Sequence, residues 1–315
     1  MRTRKLIIFF AVFCLLLTAC APQAEQNIED KASVTFTDDL GRSVTVCEPQ
    51  RTAALLGSFA QIWQLAGGQV TATADDAWEE LGLELPADAV NLGGKENLSL
   101  ELLLGSKPDF ILASTNTRQN IEWRDTLEGT GIPVAYFDVS DFEDYLELLN
   151  ICTDITGRKD LYEEYGVNVQ EQINAVLEKS RKRLEDNEHP TVLSMTASAT
   201  FVKVKNSKGN VLGTMLKNLG CMNIADSEAM LLEDLSIEHI LITDPDYIFI
   251  VQRGDNEEGM RKYVSEQLVE HPAWSQLTAV KNGRVYFMEK ALYSLKPNHR
   301  WGEAYEKLEG ILSNE

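Results

Sequence analysis

Cysteine is scarce here: five residues in a chain of 315, none in a C-x-x-C arrangement. That spacing excludes a zinc ribbon and a dithiol redox motif. Histidine is scarcer still. His189, His239, His271 and His299 all lie in the second half, and none stands in an H-x-E or H-E-x-x-H pattern, so a resident metal centre is not expected. No G-x-S-x-G marks a hydrolase nucleophile, and Gly57-Ser58 reads as a plain strand-to-helix turn. Gly93-Gly94-Lys95 is not a phosphate loop, because Ala89 stands where a glycine is required and Glu96 where Ser or Thr is. No catalytic residues are therefore expected. Basic residues are few, 29 against 49 acids for a net charge of −20, and such a surface repels nucleic acid and anionic lipid. Long apolar runs are missing as well. The one candidate, 6–17, falls short of the roughly 20 residues that span a bilayer.

That short run has another meaning. Arg2, Arg4 and Lys5 precede it and a small-residue site follows, which is the layout of a signal peptide over 1–19. Leu17-Thr18-Ala19-Cys20 resembles a bacterial lipobox, which makes Cys20 the expected lipidated N-terminus, with a polar tether over 20–32. Loss of the leader removes three bases and no acid, taking the net charge from −20 to −23. Cys47, Cys152 and Cys221 remain. Cys152 lies on the apolar side of a predicted helix, and one disulfide among the three is left open. Asn97-Leu98-Ser99 matches a glycosylation sequon by chance.

The stretch 159–186 organises the rest. Leu161, Tyr165, Val169, Ile173, Val176, Leu177 and Leu184 recur at helical spacing, with charged and amide residues between them. No proline interrupts it and Gly166 is its one weak point, so a single continuous helix of roughly 40 Å is predicted. On either side lie similar segments, LSLELLLGSKPDFILAS at 98–114 and LSIEHILITDPDYIFIV at 235–251. Each opens a short helix after Ser, passes Pro-Asp and enters a buried strand. Two similar halves joined by a helical strut follow from this pattern.

The remaining elements agree. A hairpin turns at Gly41, then strands alternate with helices on both sides of the strut, which argues for parallel sheets. Gly157 stops the helix at 142–155, 197–206 reads as a polar loop, and Asn282-Gly283 turns into a last strand. The predicted fold is α/β: two Rossmann-like lobes, 33–141 and 189–315, joined through a helical segment at 142–188. Ligands of open parallel sheets sit beyond the carboxyl ends of strands, so a cleft between the lobes is the expected site. Asn116 and Arg253 hold the same place after the strands of the two repeats.

In order along the chain, Asp39-Leu40-Gly41-Arg42, Lys107-Pro108-Asp109, Thr156-Gly157-Arg158, Asp244-Pro245-Asp246, Pro272-Ala273-Trp274 and the run at 279–286 form a specific series. By these marks the chain resembles the substrate-binding lipoproteins of ABC importers for ferric siderophores, haem and cobalamin. Cys221 departs from the family's usual second Gly before Asn223. The resemblance implies two lobes on one long helix, no chemistry and no cofactor of its own. Its partners would be an ABC permease and ATPase and an iron complex or cobalamin, for a monomeric protein held outside the cytoplasmic membrane by lipid. Candidate ligand contacts are Phe59, Trp78, Phe201 and Tyr293 for flat apolar surface, and Lys203, Lys205, Arg253 and Lys296 for carboxylates or phenolates, with Asn116 and Asn206 beside them. Glu101 and Glu238 match the family's motif for meeting permease arginines, although an acid in a helix's first turn also suits the macrodipole. An enzyme on a similar bilobal scaffold, such as a tetrapyrrole chelatase, and a zinc or manganese carrier are the alternatives. The first lacks catalytic residues and the second lacks histidines in the first half.

Overall fold

The computed structural model describes residues 33–313 apart from 96, 186–188, 228, 234, 235 and 255, and apart from the side chains of Ala229 and Met230. The expected leader, Cys20 and the tether lie outside the described residues.

A hairpin opens the fold. β1 (Ser33–Thr37) and β2 (Ser43–Cys47) pair antiparallel with Val34 opposite Val46. Its turn is held by the Asp38 carboxylate, which accepts from the backbone N–H groups of Leu40 and Arg42 and from Tyr136 N in the neighbouring sheet. Gly41 takes φ +75° there, a region that costs glycine nothing.

The first sheet contains β3 (Thr52–Ala54), β4 (Val70–Thr73), β5 (Val90–Asn91), β6 (Phe110–Ser114) and β7 (Val134–Phe137). All pairings are parallel and the spatial order is β5-β4-β3-β6-β7. The chain thus builds outward from β3 in one direction and then in the other, which puts a switch point between β3 and β6. The second sheet repeats the plan with β8 (Thr191–Ala197), β9 (Val202–Lys205), β10 (Met222–Asn223), β11 (Tyr247–Gln252) and β12 (Val285–Met288). Its order is β10-β8-β11-β12, and its switch point lies between β8 and β11. β9 pairs antiparallel along the end of β8, with Lys205 opposite Ser194. The polar loop expected over 197–206 therefore holds a strand. Its Val-Lys-Val-Lys alternation has the period of a half-buried strand, with Val204 buried and Lys203 exposed.

The repeat survives in backbone detail. Ser99 and Ser236 each cap a helix, Leu100–Gly105 and Ile237–Thr243, by accepting from the N–H three residues on. Lys107 and Asp244, at matching places, both adopt positive φ. The Pro-Asp carboxylates then fasten the first strand of each sheet. Asp109 accepts from Gln50 N and Arg51 N, and Asp246 from Thr191 N and Oγ1.

The strut runs as one continuous helix, as expected, but it is not α-helical throughout. Lys159–Tyr162 is α-helical, Glu163–Val167 forms a π turn, and α-helix resumes over Asn168–Glu185. Gly166 is pressed against the preceding helix, Phe142–Thr156, so closely that a Cβ would sit 2.8 Å from Leu146 Cδ1. The Tyr145 hydroxyl donates to Tyr165 O at 2.9 Å in that turn, giving an irregular backbone a partner of its own. Gly157 ends the preceding helix in the left-handed conformation, as expected. Val169, Ile173 and Val176 are buried. They belong to one apolar cluster that runs from Phe59, Trp63 and Phe110 in the first lobe to Met215, Phe249 and Trp301 in the second. Each lobe has a further cluster on the opposite face of its sheet. The three cysteines are separate thiols. Burial pushes Cys152 up and Cys221 up to about 12, so neither is a reactive thiolate.

Candidate functional site

The two switch points face a common cavity of about 360 Å³. Leu56 and Ser58 reach it from behind β3, Ser114, Asn116 and Thr117 from the end of β6, and Asp138, Val139 and Ser140 from behind β7. The second lobe supplies Ser194 and Thr196 of β8, Lys205 at the end of β9, Val251 and Arg253 around the end of β11, and the first turn of helix Val211–Asn218. Residues 293–296 close one side. Parallel strands place their carboxyl-end loops on one edge, and two such edges turned toward each other make the site.

Hydroxyl, amide and charged groups dominate this lining. Four cations, Lys95, Lys205, Arg253 and Lys296, stand against two carboxylates, Asp76 and Asp138. In a chain with 49 acids and 29 bases, this is a local reversal of charge. Lys95 is committed to the first lobe, 3.2 Å from Glu80 and 3.8 Å from Asp76. Burial raises the Asp76 carboxyl above its ordinary value against the pull of Lys95. Asp76 also accepts from Gly57 N at 2.8 Å, and a Cβ on Gly57 would sit 2.7 Å from its Oδ1. Asp138 accepts from Asn116 Nδ2 and from Ser140 Oγ.

Lys205, Arg253 and Lys296 have no carboxylate at salt-bridge distance among the described residues. Burial holds Lys205 below its ordinary value, helped by the neighbouring charges of Arg253 and Lys203. Burial also lowers Lys296, against the attraction of Asp138. Both causes are penalties on the protonated amine, and an incoming anion would relieve them.

The lobes are tied across this site. Glu80 of the first lobe meets Lys290 of the second at 3.1 Å, and Lys290 also donates to Gly254 O beside Arg253. The fully buried Asn298 donates to Ser58 O and Gln61 Oε1 across the lobes.

Of the residues singled out from sequence, Asn116, Lys205, Arg253, Lys296 and Tyr293 line the cavity. The other five do not. Phe59 is fully buried beneath it, with its ring 5.8 Å from Lys296 Nζ, because its helix turns that face into the core. Trp78 lies on the short helix Asp76–Glu79 away from the lining. Phe201 and Lys203 pair with each other at the start of β9, beside the carboxyl end of β8 but off the cavity lining, 5.7 Å from Nζ to ring centroid. Asn206 is used in its own turn, where its Oδ1 accepts from Lys208 N. Tyr293 offers only its ring, since its hydroxyl donates to Ala304 O at 3.0 Å. Glu101 and Glu238 are both exposed in first helical turns. The backbone N–H of Glu238 and the Ser236 hydroxyl hold the Glu238 carboxyl below its ordinary value. Asp76, Lys95, Asp138, Ser140 and Ser194 were not anticipated. Asp138 and Ser140 directly follow β7, so the strand-end rule applied to that strand would have found them.

Residues 53–292 match the sequence profile of the family described as periplasmic binding protein. The Fe(3+)-citrate-binding protein YfmC of Bacillus subtilis (strain 168) is 25% identical over 298 residues, covering 91% of this chain and 90% of its own. The achromobactin-binding periplasmic protein of Dickeya dadantii (strain 3937) is 25% identical, covering 78% of this chain and 81% of its own. Among solved structures, Staphylococcus aureus SirA complexed with staphyloferrin B superposes with a TM-score of 0.69 at 17% identity, covering 89% of this chain and 98% of that one. The catecholate-siderophore binding protein VctP of Vibrio cholerae gives 0.68 at 15% identity, covering 90% and 100%. These structural likenesses establish a shared fold.

Proposed function

We infer the function from one premise: this chain belongs to the periplasmic binding protein family. It serves as the extracytoplasmic substrate-binding component of an ABC importer. It captures an iron complex in the cavity between its lobes and delivers it to a permease driven by an ATPase. The observation that carries this reading is the cavity, where two strand-end edges meet over Lys205, Arg253 and Lys296. We read a carrier rather than a chelatase or other enzyme, because the relatives named above bind Fe(3+)-citrate and achromobactin.

Two features complete the proposal. Cys20 carries the lipid that holds the protein at the outer face of the cytoplasmic membrane, and residues 20–32 are its tether. Glu101 and Glu238, exposed at equivalent places on the two lobes, meet cationic groups on two permease subunits. Each such exposed pair contributes only about 0–1 kcal/mol, so its weight falls on encounter and register.

The test is uptake. Cells lacking this protein, given radio-iron as a mixture of ferric citrate, ferrichrome and haem, should accumulate less, and the reintroduced gene should restore the difference. Unchanged uptake on removal would refute the importer role. Ligand recovered chemically altered after incubation with the pure protein would favour an enzyme.

A further inference from the structure

We propose that the cavity selects a small, multiply anionic iron chelate of the carboxylate type, and that Arg253, Lys205 and Lys296 are its specificity determinants. This rests on the carrier reading above and narrows it.

Charge is the first ground. The three cations approach one cavity without carboxylate partners among the described residues, in a chain whose net charge is −20. Lys205 and Lys296 are half-buried and Arg253 is exposed, so an anion entering the cavity meets all three, and it gives the two half-buried ammonium groups a counter-charge that the described residues do not supply. A guanidinium beside two ammonium groups suits carboxylates, the guanidinium through two parallel bonds and the ammonium groups as point charges.

Coordination is the second ground. Haem iron in proteins is held by His, Cys, Met or Tyr. Among the described residues the lining has no His, Cys or Met, and its one tyrosine, Tyr293, has given its hydroxyl to Ala304 O. The described lining therefore offers a haem iron none of its usual axial ligands. Flat apolar surface is also scarce, since Phe59 lies in the core and Trp78 and Phe201 lie off the lining. Among the described lining residues, Tyr293 is the one aromatic ring on which a tetrapyrrole or corrinoid plane could stack.

Size is the third. A volume of about 360 Å³ lies near the lower end of the ~300–1,000 Å³ of small-molecule sites.

Calorimetry on the full mature chain decides it, with ferric citrate, ferrichrome (a neutral trihydroxamate), haemin and cyanocobalamin as separate probes. Ferric citrate should bind most tightly, and its affinity should fall as salt is raised. Arg253→Gln and Lys205→Gln should each weaken it at least tenfold, with Arg253→Lys recovering part of the loss. Circular dichroism confirms that each variant is folded. Tightest binding of ferrichrome, haemin or cyanocobalamin, or a ferric citrate affinity indifferent to both Gln variants, overturns the selectivity and leaves the carrier reading standing. Failure of all four to bind, together with unchanged cellular uptake on removal of the protein, overturns both.

Discussion

Arg183 joins the inter-lobe strut to the last helix, and its removal should cost more than any single contact on that helix. Its guanidinium pairs with Glu309 through Nε–Oε1 at 2.9 Å and Nη2–Oε2 at 3.1 Å. The two side chains are 14% and 2% exposed, so water replaces neither partner. Arg183→Met leaves the Glu309 carboxylate buried beside an apolar chain, a situation that costs about 3–5 kcal/mol. Arg183 also donates to Ser180 Oγ and Leu219 O, and Ser180 Oγ already donates to that carbonyl at 2.8 Å. The double change Arg183→Met with Glu309→Leu removes both charges and should recover most of the stability, because buried ion pairs exchange for apolar groups near neutrality. Urea unfolding of the wild type, both singles and the double gives the coupling, expected at about 2 kcal/mol or more. The Met variant should also melt about 6–20 °C lower, at roughly 2–4 °C per kcal/mol for a chain of this size. Single variants each costing less than about 1 kcal/mol, the value of an exposed pair, would falsify the argument, since Glu309 would then have to be hydrated.

Three further outcomes are expected. Burial presses the Asp38 carboxyl upward, but the Arg42 guanidinium and the N–H groups of Arg42 and Tyr136 prevail and hold it below 3.8. Its stabilisation is therefore full above 3.8 and lost as pH falls through the lower folded value; Asp38→Asn should lose stability at pH 7 and show a shallower acid limb in urea midpoints, and an unchanged limb would contradict the assignment. Cys20→Ala should move the protein from the detergent phase to the aqueous phase on phase partitioning, and identical partitioning of both forms would remove the anchor. Glu101→Lys with Glu238→Lys should leave ligand affinity intact and lower uptake further than either change alone; wild-type uptake at normal expression would reduce both residues to helix-start acids.

The sequence by itself determined the α/β alternation, the two related halves and the strut. Apolar periodicity, Gly157 as a stop, and the Ser-x-Glu and Pro-Asp marks of the repeat are local signals, and each acts on the few residues around it. The repeat even carried two cavity residues, because Asn116 and Arg253 follow equivalent strands. Of the four aromatic candidates, Tyr293 lines the cavity while Phe59, Trp78 and Phe201 lie off it. Phe59 carries the same apolar surface whether it faces a ligand or a core, and only the turn of its helix decides which; Trp78 is half-exposed on a helix that buries Asp76 and Ala77 instead. The π turn at Glu163–Val167 was equally hidden, since it answers to the closeness of Leu146 and to the Tyr145 hydroxyl on another helix. Arg183 looked like any charge on a solvated face until Glu309 was brought beside it. The charge reversal in the cavity belongs to tertiary structure alone. Lys205, Arg253 and Lys296 are dispersed among many acids along the chain, and only the folding of two sheets edge to edge gathers them around one cavity, where cations outnumber acids among the described lining residues.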